Sequence, residues 1–494
     1  MKKTAMLCLL LLIACDLRAE DAKPVPVKVR PGILGSRGWY PADAKKLAAM
    51  VDGFVAAAPA VPGPAPVGLI APHAGYFYCG PVMGKVYRTV KGRKYDRVFI
   101  LGVNHRAPLD GVSVPDYTHY ETPLGRVPVD VKTARKLREG FELFIDFPAA
   151  HREEHSIEIQ LPFLQRTVKD LTIVPMIVAC APFELKEVAA ALKSVVGPND
   201  LVIASSDNTH YGKNFGYVPF PNDERIEARL TALDMGAVDR MLEIDLEGFL
   251  AYREKTKITI CGRRTVGLLL ALLPPDTQAT LLGYTTSGKK TGRWDNSVSY
   301  VGVLYTAALG KGDQAFALKL ARESMTRYVS TGERFDPVKA GWKIPAALTR
   351  TAGAFVTLKV GDRLRGCIGD MLPHRPLWQA IAARAISSAS DDPRFTPVTA
   401  AELKKIRIEI SALTAPRPIS DWKSIRIGKH GILLSWQGRR RSVYLPQVAP
   451  EQGWDLETTL SHLSRKGGLP EKAYLDPRMT FEVFTAQVFS EGDE

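Results

Sequence analysis

Five residues of this 494-residue chain are of types that bind metals or move protons, and each stands just past an apolar run or at a turn. His73 follows Gly68-Leu69-Ile70-Ala71-Pro72, and His105 follows Val98-Phe99-Ile100-Leu101-Gly102-Val103-Asn104. Asp207 and His210 follow Leu201–Ala204, and Cys261 opens Cys261-Gly262-Arg263 after Ile258-Thr259-Ile260. In open α/β sheets ligands sit at the carboxyl ends of the strands, so residues far apart in sequence can converge on one crevice. Two imidazoles and a thiolate, with a carboxylate nearby, suit a late first-row metal: iron, copper or zinc. The competing reading of any one His beside a strand is a hydrogen-bonded structural residue; several at strand ends weaken it. Asp207 suits either acid/base and ligand-orienting work or a helix N-cap. His155, in Glu154-His155-Ser156, reads as a packing residue or one that orients a ligand.

The elements that would position these groups alternate in type. Val67–Ile70, Arg97–Leu101, Leu171–Val178 and Leu201–Ala204 are short apolar runs that predict buried strands. Ala44–Ala58, Val131–Glu139, Glu184–Val195 and Asp223–Leu242 predict helices. That alternation predicts an α/β domain around a largely parallel sheet, closed by Tyr300–Leu309. Gly310-Lys311-Gly312-Asp313 then reads as a small polar joint and domain boundary. The second half predicts an α+β domain: a helix Gln314–Thr331, strands Ala354–Val360 and Ile406–Leu413, a helix Pro376–Ser390 between them, and a hairpin Gly431–Trp436/Arg441–Leu445 around Gln437-Gly438.

At about 100–200 residues per domain, the length predicts two to four folding units. Apolar residues make up 46% and charged residues 24%, which excludes a disordered chain, a collagen and a coiled-coil rod. The net charge of +14 is spread along the chain, and the one tight basic cluster, Arg439–Arg441, reads as a solvated hairpin edge. Without a basic stripe and interleaved aromatics, no nucleic-acid partner is expected. Residues 1–20 differ: Lys2 and Lys3 precede an apolar run, Ala5–Ala14, too short to span about 30 Å of hydrocarbon, as in an export signal. Its end, Leu12-Ile13-Ala14-Cys15, resembles a bacterial lipobox that would lipidate Cys15; the alternative is cleavage after Ala19. Asp16 resembles an inner-membrane retention signal, so a lipid-anchored place in the bacterial cell envelope, on the periplasmic face of the inner membrane, is expected.

Several motifs go further. Ala71-Pro72-His73-Ala74-Gly75-Tyr76, Leu101-Gly102-Val103-Asn104-His105, Glu154–Pro162, Ser205-Ser206-Asp207 and Cys261-Gly262-Arg263 resemble, in order, the motifs of the Memo family over residues 30–309. The resemblance implies a fold similar to class III extradiol dioxygenases, a metal site at His73, His105 and Cys261, most readily for iron, and a pocket also lined by Asp207 and His210. Two positions depart from the family's usual pattern: His105-Arg106 in place of His-His, and Asn208-Thr209 between Asp207 and His210. A thiolate where the dioxygenases carry a carboxylate also separates the site from standard ring cleavage.

Leu364-Arg365-Gly366-Cys367-Ile368-Gly369, Asp392–Val398, Gly428–Ile432 and Tyr444–Val448 resemble the AMMECR1 family over residues 313–490. Cys367 with Arg365 and His374 has the parts of a nucleophile, a cation and a base; the competing reading is a small buried Cys in a tight turn. The two families accompany a radical-SAM protein in the AmmeMemoRadiSam system, whose A and B components this chain would fuse, although export would separate it from such a cytoplasmic partner. The expected function is therefore a metal-dependent redox enzyme acting on an unknown substrate, with the second half as an accessory unit. The alternative is a non-catalytic peptide- or metal-binding module. If the lipobox is used, the mature protein partitions into detergent and Cys15→Ser abolishes this; a soluble mature protein beginning at Glu20 contradicts it.

Overall fold

The computed structural model describes residues 26–419 and 421–492, so the segment 1–20 with Cys15 lies outside it. Four strands form the centre of the first half: β1 (Pro66–Ala71), β2 (Val98–Val103), β3 (Ile173–Val178) and β4 (Leu201–Ser205). They hydrogen-bond in parallel in the order β1-β4-β2-β3. Helices and loops cover both faces, which is why the strands are apolar at every position rather than at alternate ones. Ile70, Phe99, Leu101, Val174 and Met176 enter one core; Leu69, Ala71, Val98, Ile100 and Ile177 enter the other.

These four strands make the sheet largely parallel, as expected, and antiparallel strands flank them. Asn296–Thr306 (β5) pairs antiparallel with β1 and with Gln278–Thr286, and Val112–Ser113 pairs antiparallel with β3. The connection from Thr286 to Asn296 is too short for the crossover that a parallel neighbour needs.

In the second half, Arg363–Asp370, Ala354–Val360, Ile406–Leu413 and Ala486–Ser490 form an antiparallel sheet in that order. The helices Lys311–Thr331 and Leu377–Ser390 pack with this sheet around one apolar core. A second sheet contains Arg417–Ile419, Met479–Phe484, Gly431–Trp436 and Arg440–Tyr444. Gln437 and Gly438 both take positive φ in the hairpin turn, and the exposed Arg440 and Arg441 lie on the edge strand.

Two expectations change here. The Gly310–Asp313 joint is the first turn of a helix that starts at Lys311, because the Asp313 carboxylate accepts the Gly310 N–H at 3.1 Å. The segment around Cys367 is a strand, not a tight turn. A Cβ on Gly366 would stand 2.1 Å from the Ser388 carbonyl oxygen, and one on Gly369 2.2 Å from the Phe355 ring. Those glycines serve close packing.

Acidic residues of the first half meet basic residues of the second. Arg417 pairs with Asp239 and, at 2.7 Å, with Glu243; Arg426 pairs with Asp245; Lys429 donates to the Glu243 carbonyl at 3.0 Å.

A fully buried Arg30 begins the first half. It pairs with the equally buried Glu158 and donates to the carbonyls of Pro31, His151 and Glu154 at 2.8, 3.1 and 2.7 Å. Glu158 also accepts the N–H groups of Ile33 and Leu34 and the Tyr40 hydroxyl. Removing one member of a buried, hydrogen-bonded pair strands the other charge. Glu158→Ala should therefore lower stability in urea unfolding by about 3–5 kcal/mol; a loss below about 1 kcal/mol, typical of an exposed pair, would contradict this reading.

Candidate metal centre

His73 lies in the turn between β1 and the helix Tyr76–Arg88, and it is 2% exposed. Its Nδ1 is 2.9 Å from Ser205 Oγ. That hydroxyl gives its own proton to the Ser156 carbonyl at 2.7 Å and accepts Gln160 Nε2–H at 2.9 Å. Gln160 is oriented in turn, since its Oε1 accepts the Tyr87 hydroxyl and its Nε2 also donates to the Pro72 carbonyl. With the Ser205 proton committed, His73 must carry its hydrogen on Nδ1, leaving the Nε2 lone pair facing the pocket.

His105 follows β2 and reaches the same result through a carboxylate. Its Nδ1 lies 3.0 and 3.1 Å from the two Glu154 oxygens, and its backbone N–H also donates to Glu154. Burial alone would raise the Glu154 carboxyl, but the hydrogen bond from His105 and the charges of His105 and His155 outweigh it and hold the group at about 2. A carboxylate on the far nitrogen fixes the tautomer and raises the basicity of the near one.

Cys261 sits two residues before the helix Arg263–Leu272, in the turn whose N-cap is Gly262. Its Sγ is 3.1 Å from His73 Nε2 and accepts the Asp207 N–H at 3.2 Å. Gly262 permits this approach: a Cβ there would stand 2.3 Å from Ser206 Cβ. The ligand atoms of His73, His105 and Cys261 all lie within 4.8 Å of one another. A metal at their centre, with bonds of about 2.0–2.3 Å, fits that spacing. Burial and the nearby Asp207 push the free thiol well up, so it ionises there only with a cation beside it.

Asp207 is buried and opens no helix, which removes the N-cap reading. Its Oδ1 accepts the His73 N–H at 2.8 Å, so it holds the turn that carries His73. Burial raises its carboxyl to about 6, although His210 and the His73 N–H pull the other way. His210 places Nδ1 2.9 and 3.1 Å from the carbonyls of Asn208 and Thr259, which leaves Nε2 free. His73, His105, Asp207 and His210 line one pocket of about 490 Å³, with Trp39, Phe215 and Tyr300 among its walls. Cys261 is not among the lining residues but touches two of them, His73 and Asp207.

His155 both packs and lines the pocket: its ring stacks on His105 with centroids 4.5 Å apart and stands 4.5 Å from Trp39. His105, Glu154 and His155 form a second group whose ligand atoms are equally close. Glu154, Ser205 and Gln160 stand inside the sequence motifs, but the motifs alone assign them no role. The legible signal was their polar type within apolar surroundings.

Cys367 does not line this pocket, and its proposed partners are engaged elsewhere. Arg365 pairs with Glu402 at 2.8 Å, and His374 bonds the Leu372 carbonyl and Arg375. Cys367 Sγ instead accepts the Thr357 hydroxyl at 3.3 Å, and burial raises its thiol. All four cysteines among the described residues are free thiols: Cys79, Cys180, Cys261 and Cys367.

If Ser205 and Glu154 set the two tautomers, Ser205→Ala and Glu154→Gln should each weaken metal affinity about 10–100-fold with the fold intact by circular dichroism. Competition against a chelator measures this, and unchanged affinity in both variants would show that the outer hydrogen bonds do not matter.

The Memo-like protein family model matches residues 33–304, and the AMMECR1 family model matches residues 318–489. A MEMO1 family protein of Pyrococcus furiosus is 35% identical over 254 residues, covering 48% of this chain and 86% of that protein. A protein of Methanopyrus kandleri is 40% identical over 188 residues, 36% of this chain and 88% of its own. The crystal structure of an uncharacterized protein from Pyrococcus horikoshii aligns with a TM-score of 0.35 and 36% identity, over 37% of this chain and 94% of that one. The chain thus belongs to the Memo family through its first half and carries an AMMECR1 domain in its second.

Proposed function

We propose that the Memo half is a metal-dependent redox enzyme, with one iron held by His73, His105 and Cys261, and that the AMMECR1 half is an accessory, substrate-handling unit. The observation that carries this reading is the hydrogen-bond allocation: both ligating imidazoles have Nδ1 engaged, His73 Nε2 is 3.1 Å from the Cys261 sulfur, and a ligand nitrogen of His105 lies within 4.8 Å of both. Copper and zinc suit the same donors, and affinity order favours them over iron. The likeness to class III extradiol dioxygenases belongs to this proposal, as does a location at the periplasmic face of the inner membrane.

When bound, the metal would supply an open coordination position for O₂ or an oxidisable substrate, since three protein ligands leave the shell incomplete. The chain's own residues do the rest. Trp39 and Tyr300 give the substrate apolar walls, and His155 braces His105. His210 Nε2 accepts or returns a proton at the pocket surface, because its Nδ1–H is committed to carbonyls. Asp207, held through the His73 N–H, keeps the ligand turn in register while its carboxyl stays close to the neutral range.

The test uses protein produced with ample iron and without oxygen, with iron, copper and zinc measured together. The expected result is one ion per chain in the wild type, most of it lost in Cys261→Ser, and steady O₂ consumption once a substrate is found. Absence of stoichiometric metal from every preparation would end the enzyme reading. Tight peptide binding by that metal-free protein would establish the binding module instead.

A further inference from the structure

A second cavity, of about 280 Å³, lies between the two halves and shares no lining residue with the metal pocket. Its lining includes Arg93 and Thr89 from the Memo half and Arg350 and Thr351 from the AMMECR1 domain. Arg93 is partly used: Nε donates to the Thr89 carbonyl at 2.9 Å and Nη2 to the Gly63 carbonyl at 3.0 Å. Arg350 is not. The residue is half-buried, its Nε and Nη2 are shielded from water without a hydrogen-bond partner, and it makes no ion pair among the described residues. Its backbone is fixed, with the carbonyl accepting Leu377 N–H at 2.9 Å, and its Cβ packs against Gly63 across the cleft.

The charge balance of the cavity is one-sided. Two guanidiniums line it together with several threonine hydroxyls and Gln278, and no Asp or Glu does among the described residues. Elsewhere between the halves, Arg417, Arg426 and Lys429 all meet the carboxylates or carbonyl of the Asp239–Asp245 segment. A guanidinium partly shielded from water without a counter-charge is unfavourable, and that desolvation lowers the Arg350 pKa to about 10. A guanidinium with two adjacent N–H groups free matches the paired oxygens of a carboxylate or phosphate.

We infer that this cavity is a binding site for an oxyanion, a carboxylate or phosphate group gripped by Arg350 with Arg93 beside it. The space is about nine water volumes, enough for such a group and a few neighbouring atoms. Gln278, Ala279, Thr414 and Ala415 also line the adjoining cavity of about 470 Å³, so the cleft continues past the anion. The ligand is therefore a small organic molecule with an anionic end, seated on both halves at once. Because each half contributes an arginine, its binding fastens the two domains to each other.

The test is calorimetric titration of the full chain with inorganic phosphate and, separately, with malonate, in chloride of matched ionic strength. The expected result is saturable one-to-one binding of at least one of them, weakened roughly thirtyfold or more by Arg350→Gln. Phosphate alone binding assigns a phosphorylated ligand, and malonate alone a carboxylate. No saturable binding to the wild type, or equal binding to Arg350→Gln, overturns the inference. Should that variant fail to fold, phenylglyoxal labelling of the wild type decides: saturating anion must slow modification of Arg350, and an unchanged rate sinks the site.

Discussion

The segment Glu154–Gln160 is the constraint on which the first half depends. Within seven residues it buries two carboxylates, a hydroxyl and an amide, and each is committed to a different part of the chain. Glu154 takes His105, Ser156 Oγ takes the Val103 N–H at 2.9 Å, Glu158 takes Arg30 and Tyr40, and Gln160 takes Tyr87 and Ser205. Buried polar groups of this kind are unfavourable unless every partner is present. The segment consequently fixes the ends of β1, β2 and β4 and the entering chain at Arg30 against one another.

The chemistry of the pocket follows from that arrangement. A hydrogen bond at one ring nitrogen decides which nitrogen of a histidine faces a ligand; here His73 is held by a serine whose proton goes elsewhere and His105 by a carboxylate. Shape is set by small residues. Gly102 lets Ile157 approach β2, where a Cβ would stand 2.7 Å from Ile157 Cγ1, and Gly262 does the same for Cys261 against Ser206. The pocket thus rests on polar satisfaction below and close backbone contact at its sides.

Much of this was legible in the sequence, and the limits have physical causes. The four parallel strands were legible because a sheet buried on both faces writes continuous apolar runs. His73, His105, Asp207, His210 and Cys261 could be nominated because strand ends converge. The role of Ser205 could not, since it depends on where a hydroxyl proton points, which only three-dimensional partners decide. The glycines beside Cys367 allow either a close backbone approach or a sharp turn, and the strand there takes the first. Glycines needed for close packing against Ser388 and Phe355 look, in one dimension, like glycines needed for a turn. Arg350 gave no signal at all, because an arginine without a partner is spelled like any other.

X-ray absorption at the iron edge of the loaded full chain tests the central claim most directly. The account predicts a first shell with one sulfur near about 2.3 Å and two imidazole nitrogens near about 2.0–2.1 Å, distances borrowed from zinc sites of the same donors. A shell of nitrogen and oxygen alone, with no sulfur scatterer, would contradict it and move the metal to the group formed by His105, Glu154 and His155.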